Sequence, residues 1–88
     1  MTKIIVYATG TCPYCRNAEE LLIRKGLAFE TIRIDHDPEL MAEMMRITGR
    51  RTVPQILINE QPVGGYDDLY KLEQTGELDK MLHPDARK

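Results

Sequence analysis

Tryptophan is absent from this 88-residue chain, phenylalanine occurs once, and there are only two cysteines. Two cysteines cannot build the multi-bridge framework of a small secreted domain, so the fold must rest on an apolar core. No apolar run approaches the roughly 20 residues that a membrane helix requires; stretches such as Ile4 to Ala8 are far shorter. Met1-Thr2-Lys3 leads straight into that stretch with no signal-peptide apolar region or cleavage site, so a cytoplasmic protein without membrane association is expected. Basic runs are also missing and the net charge is −2, which removes the electrostatic ground for a nucleic-acid partner. Repeats, low-complexity segments and linkers do not occur. The length suits one domain spanning residues 1–88, and a monomer is expected.

What is present reads as alternating strands and helices. Lys3 to Ala8 is a short β-branched run and predicts a buried strand. After the loop Thr9-Gly10-Thr11, Pro13 suits the first position of a helix, where its missing N–H has no intrahelical partner to lose. Ala18, Leu21 and Leu22 recur at helical spacing until Gly26. Phe29 to Ile34 alternates apolar and polar residues as a second strand. Pro38 opens a second helix, in which Leu40, Met41, Met44, Met45 and Ile47 form an apolar stripe ending at Gly49. Helical spacing assigns these methionines to the core, although methionine also suits adaptable binding surfaces.

Pro54 precedes a third strand, Gln55 to Ile58, and Asn59-Glu60 turns it into a fourth, Gln61 to Gly64. Asp67 and Asp68 suit the first turn of a helix carrying Leu69 and Leu72 and closed by Gly76. Leu78, Met81 and Leu82 predict a last short helix. The order is β-α-β-α-β-β-α-α. The first half is a βαβ unit with parallel strands, and the second half opens on an antiparallel hairpin. The expected product is a thioredoxin-like α/β fold, a four-stranded mixed sheet flanked by helices.

The chemistry lies in Cys12-Pro13-Tyr14-Cys15, between the first strand and the first helix. Cys12 falls at or beside the helix N-cap, where free N–H groups and the macrodipole favour an anion. Cysteines so placed ionise at about 3.5–7.5 rather than about 8.5, and nucleophilicity falls only slowly as the thiol becomes more acidic. Cys15 is one helical turn further on, on the same side and inside the helix. Roles follow from this asymmetry: Cys12 attacks, Cys15 resolves, and a redox-active Cys12–Cys15 disulfide forms in between. A purely structural disulfide would close a loop too short to stabilise by more than about 2 kcal/mol. A structural zinc site would need His36 and His83 as further ligands, at a spacing that matches no finger pattern, so no metal is expected.

Cys12-Pro13-Tyr14-Cys15, Thr52-Val53-Pro54 and Gly64-Gly65 followed by Asp67-Asp68 together resemble the glutaredoxins, most closely the small bacterial dithiol type. The resemblance covers nearly the whole chain; thioredoxins would carry Trp-Cys-Gly-Pro-Cys instead. It implies a glutathione-dependent thiol–disulfide oxidoreductase, a thioltransferase that uses glutathione as co-substrate in cell redox homeostasis. The implied partners are glutathionylated or disulfide-bearing proteins, ribonucleotide reductase being one in the family, with glutathione reductase and NADPH acting indirectly.

Residue by residue, the resemblance makes Pro54 a cis proline beside the active site and gives Val53 backbone pairing with the cysteinyl part of glutathione. Thr52 and Tyr14 would line the same groove. Gly65 would let the ligand approach the backbone, Tyr66 and Asp67 would offer N–H groups to the γ-glutamyl carboxylate, and the Asp67 carboxylate would meet its ammonium group. Two positions depart from the pattern. Thr9 stands where many relatives have a lysine that holds the glycine carboxylate, leaving Arg16, Arg50 or, first of all, Arg51 to supply that charge. Tyr66 stands where relatives often have cysteine or serine, at a contact made through the backbone. Two other readings keep the cysteines: a redoxin reduced by thioredoxin reductase, and a carrier of a glutathione-ligated [2Fe–2S] cluster.

Overall fold

The β-branched run at the start becomes β1 (Ile4–Ala8), an inner strand with a neighbour on each side in a computed structural model that describes residues 3–82. His83 lies outside the described residues. The remaining elements are α1 (Pro13–Arg24), β2 (Glu30–Arg33), α2 (Pro38–Thr48), β3 (Gln55–Ile58), β4 (Gln61–Gly64), α3 (Tyr66–Thr75) and α4 (Glu77–Leu82). The strands lie in the order β2-β1-β3-β4, with β1 parallel to β2 and antiparallel to β3, and β3 antiparallel to β4. This is the mixed four-stranded sheet of a thioredoxin-like fold.

Strand alternation divides the core into two layers. Ile4, Val6 and Ala8 of β1 and Ile56 and Ile58 of β3 are buried on one face against Ala18, Leu21 and Leu22 of α1, Leu69 of α3, and Leu78 and Leu82 of α4. Tyr7 and Leu57 point the other way, onto Ile34 and the fully buried Met44 of α2. The apolar stripe of α2 is narrower than its sequence suggests: Leu40 and Met41 pack against this second layer, but Ile47 is 37% exposed. β2 is likewise shorter than Phe29–Ile34. As an edge strand it pairs on one side only, and its two expected end residues turn into the core layers instead.

Local signals set the ends of the elements. α1 stops in a Schellman arrangement, with Gly26 in the left-handed region (φ 72°), its N–H on the Ile23 carbonyl at 2.9 Å, and the Leu27 N–H on the Leu22 carbonyl at 3.0 Å. Asn59 and Glu60 both have positive φ (51° and 71°), the geometry of a two-residue hairpin turn that matches strand twist. Asn59 also anchors β1: its side chain accepts the Lys3 N–H at 2.9 Å and its own N–H reaches the Lys3 carbonyl at 2.8 Å.

Candidate active site

Cys12 is the N-cap of α1, with extended backbone (φ −92°, ψ 113°), and Pro13 follows in the first turn as its sequence suggests. The cap is made by sulfur: Cys12 Sγ accepts the Cys15 N–H at 3.2 Å. It also lies 3.7 Å from the Val53 carbonyl oxygen, to which the thiol donates. Both cysteines are free thiols; Cys12 is half-buried and Cys15 is 2% exposed. Burial pushes the Cys15 thiol up to about 12, helped by its hydrogen bond with Cys12. The two sulfurs are chemically unequal before any substrate arrives.

The loop that delivers Cys12 is tied from behind. Asp35 accepts the Gly10 N–H at 3.1 Å and holds Arg33 through two hydrogen bonds of 2.7 and 3.1 Å. The Arg33 guanidinium keeps the Asp35 carboxyl well below the usual carboxylate range, with the Gly10 amide acting in the same direction. A Cβ at Gly10 would meet the tip of the Arg33 side chain, which would have to move aside.

At Val53, whose carbonyl faces the Cys12 sulfur, a groove opens with a cavity volume of about 220 Å³. One wall is the loop Thr52-Val53-Pro54, in which the Val53–Pro54 bond is cis, as the resemblance implies. The opposite wall is Gly65, Tyr66 and Asp67 at the start of α3, and Tyr14 closes the end nearest the cysteines. Tyr14, Tyr66 and Tyr70 form an aromatic row, with ring centroids 6.4 and 6.0 Å apart.

The two acidic residues of α3 differ. Asp68 turns back to accept the Gly65 N–H at 3.1 Å and sits 3.5 Å from the Arg50 guanidinium. This is half of a capping box. It also requires Gly64, where φ is 117° and a Cβ would collide with the Asp68 carboxylate. Asp67 is exposed and lines the groove, and no hydrogen bond or ion pair among the described residues engages its carboxylate.

The structure thus brings Tyr14, Thr52, Val53, Pro54, Gly65, Tyr66 and Asp67 together around one groove. Two other candidates lie elsewhere. Thr9 lines a separate cavity that both cysteines also line, with Arg16, Glu19, Thr31 and Arg33. Arg51 does not line the groove, whereas Arg50 does, held there by Asp68. The sequence carries no local signal for this choice between adjacent arginines, since it depends on a partner 18 residues away. Gln55, read only as a strand residue, also lines the groove. No group of three or more His, Cys, Asp or Glu side chains suited to a metal occurs among the described residues.

With this geometry in hand, the relatives fall into one group. The glutaredoxin family model matches residues 4–63. A glutaredoxin of Pseudomonas aeruginosa is 51% identical over 82 residues, 93% of this chain and 98% of the relative. Glutaredoxin 3 of Escherichia coli K12 is 45% identical over 82 residues, 93% and 99% of the two chains. Among solved structures, the glutaredoxin of Brucella melitensis superposes with a TM-score of 0.82 at 50% identity, covering 93% of this chain and 89% of the other. A buckwheat glutaredoxin–glutathione complex superposes with a TM-score of 0.86 at 28% identity, covering 94% and 78%.

Proposed function

The chain belongs to the glutaredoxin family, a family of thiol–disulfide oxidoreductases whose redox-active centre is here the pair Cys12 and Cys15, and we propose that it draws its electrons from glutathione. The observation that carries this reading is the groove beside the Cys12 sulfur, with a backbone edge at Val53, the N-terminus of α3 opposite, and the Asp67 carboxylate facing in. A γ-glutamyl tripeptide thiol offers matching groups: a carboxylate for the Tyr66 and Asp67 N–H groups, an ammonium for Asp67, and a peptide edge for Val53. Its glycine carboxylate meets Arg50. The buckwheat complex supports this placement by similarity of fold.

In the reaction, Cys12 thiolate attacks the glutathione sulfur of a glutathionylated thiol. The protein thiolate leaves, and Cys12 carries glutathione as a mixed disulfide. A free glutathione thiolate then attacks the bound glutathione sulfur, releasing oxidised glutathione and restoring Cys12; one glutathione is consumed, and the disulfide bond passes from the substrate to oxidised glutathione. On a protein disulfide, Cys12 forms the mixed disulfide with the protein. Cys15 gives up its proton and attacks the Cys12 sulfur, the protein thiolate leaves, and glutathione then reduces the Cys12–Cys15 disulfide.

The test is a coupled assay on a glutathionylated peptide. Turnover should require glutathione with glutathione reductase and NADPH. Turnover sustained instead by thioredoxin reductase, without glutathione, would reject the reading.

A further inference from the structure

Gln55, 1% exposed, is the only polar or charged residue in the buried set among the described residues. Its Nε2 donates to Thr52 Oγ1 at 3.2 Å, while its Oε1 is buried without a hydrogen-bond partner among the described residues. Its surroundings would suit an apolar side chain, since Gln55 pairs with Tyr7 across the sheet and the next residue on the same face is Leu57. A buried acceptor left unsatisfied is costly, and an apolar group of the same shape would remove the cost. The expense falls at a revealing place, because Gln55 lines the groove together with Thr52, Val53 and Pro54.

We propose that Gln55 is a ligand-binding residue of this groove: Nε2 orients Thr52, and Oε1 accepts a hydrogen bond from an N–H of the bound thiol peptide, directly or through one enclosed water. The inference rests on the groove being the glutathione site. It extends that site beneath its floor to a residue whose polarity serves the complex and costs the free protein. A ligand without a peptide N–H, such as a small alkyl thiol in mixed disulfide, leaves Oε1 unsatisfied and gains nothing from it.

Gln55→Met keeps length and volume and removes both polar atoms, so the free protein should unfold no more easily than the parent. With a glutathionylated peptide its KM should rise about fivefold, the effect of one lost hydrogen bond, with kcat changed by less than about twofold. With a mixed disulfide of ethanethiol, which has no N–H to donate, its KM should stay at the parental value. A KM for the glutathionylated peptide that stays parental would overturn the proposal, as would equal losses on both substrates.

A second measurement avoids any folding defect in the variant. In Cys15→Ser protein carrying glutathione on Cys12, the Gln55 side-chain NH2 resonances should shift relative to the ethanethiol adduct; coincident resonances would contradict the assignment. A parent protein that shows no glutathione-dependent turnover would instead defeat the reading of the groove itself.

Discussion

The Cys15 backbone N–H points at the Cys12 sulfur from 3.2 Å, so the residue proposed to resolve the mixed disulfide also caps the proposed nucleophile. The same helical turn buries the Cys15 thiol and pushes it up to about 12. At neutral pH the Cys15 thiol is then overwhelmingly protonated. Brief alkylation of the reduced, folded protein at neutral pH should modify Cys12 and leave Cys15 untouched until the chain is unfolded. Mass mapping that found Cys15 labelled first would reverse the roles.

Alkali should weaken the reduced protein. The Cys15 thiol is raised from 9.0 to about 12 by burial. Its neutral form is favoured by folding, so its contribution is complete below about pH 9 and is lost as pH rises towards 12. Lys25 acts in the same sense. It bridges Glu73 of α3 at 2.9 Å and Asp79 of α4 at 3.0 Å, and the hydrogen bond to Glu73, followed by that to Asp79, raises the ammonium above its usual value. Its contribution is complete below the unfolded lysine value and disappears as pH rises through the raised one. Denaturant midpoints measured from pH 7 upward should therefore fall above pH 9. Lys25→Met should cost about 0.5–1 kcal/mol at neutral pH, since Asp79 is well exposed; an unchanged midpoint would mean that these bridges do not hold α4.

The two neighbouring aspartates should differ in their effect on stability. Asp68→Ala removes the cap on Gly65 and should destabilise the protein by about 1 kcal/mol. Asp67→Ala should leave stability unchanged and raise the KM for glutathionylated peptide about two- to fivefold, a charge-assisted contact reduced by exposure. Steady-state kinetics and thermal melts on both variants check the split. Equal KM values for Asp67→Ala and the parent would remove Asp67 from the site.

Arg50, rather than Arg51, lines the groove. Arg50→Ala should raise the KM for glutathionylated peptide, more strongly at low salt, while Arg51→Ala should stay near the parental value. The reverse order would place the ligand carboxylate beyond the groove wall.

These contrasts mark how far the sequence could be read. The strand at Ile4, the proline-opened helices, the glycine stops at Gly26, Gly49 and Gly76 and the Asn59-Glu60 turn are local signals, and they recur in the structure at or within a residue or two of their expected places. The cysteine asymmetry was legible for the same reason, because one helical turn contains both residues. The grip of Asp35 on Gly10, the choice of Arg50, the Lys25 bridges and the burial of Gln55 all join residues distant in sequence. Periodicity says nothing about such pairs. Exposure of Ile47 shows the opposite limit: helical spacing admits it to a stripe, and only the narrow contact with the sheet excludes it.

The central claim is that Cys12, alone and in this groove, carries glutathione during turnover. Cys15→Ser tests it directly, because the resolving thiol can no longer expel the intermediate. Mixed with oxidised glutathione, the reduced variant should form one glutathione adduct per chain, mapped by mass to Cys12, and should retain turnover of glutathionylated peptide while losing most reduction of protein disulfides. A folded variant that forms no adduct at Cys12 and has lost both activities would contradict the account.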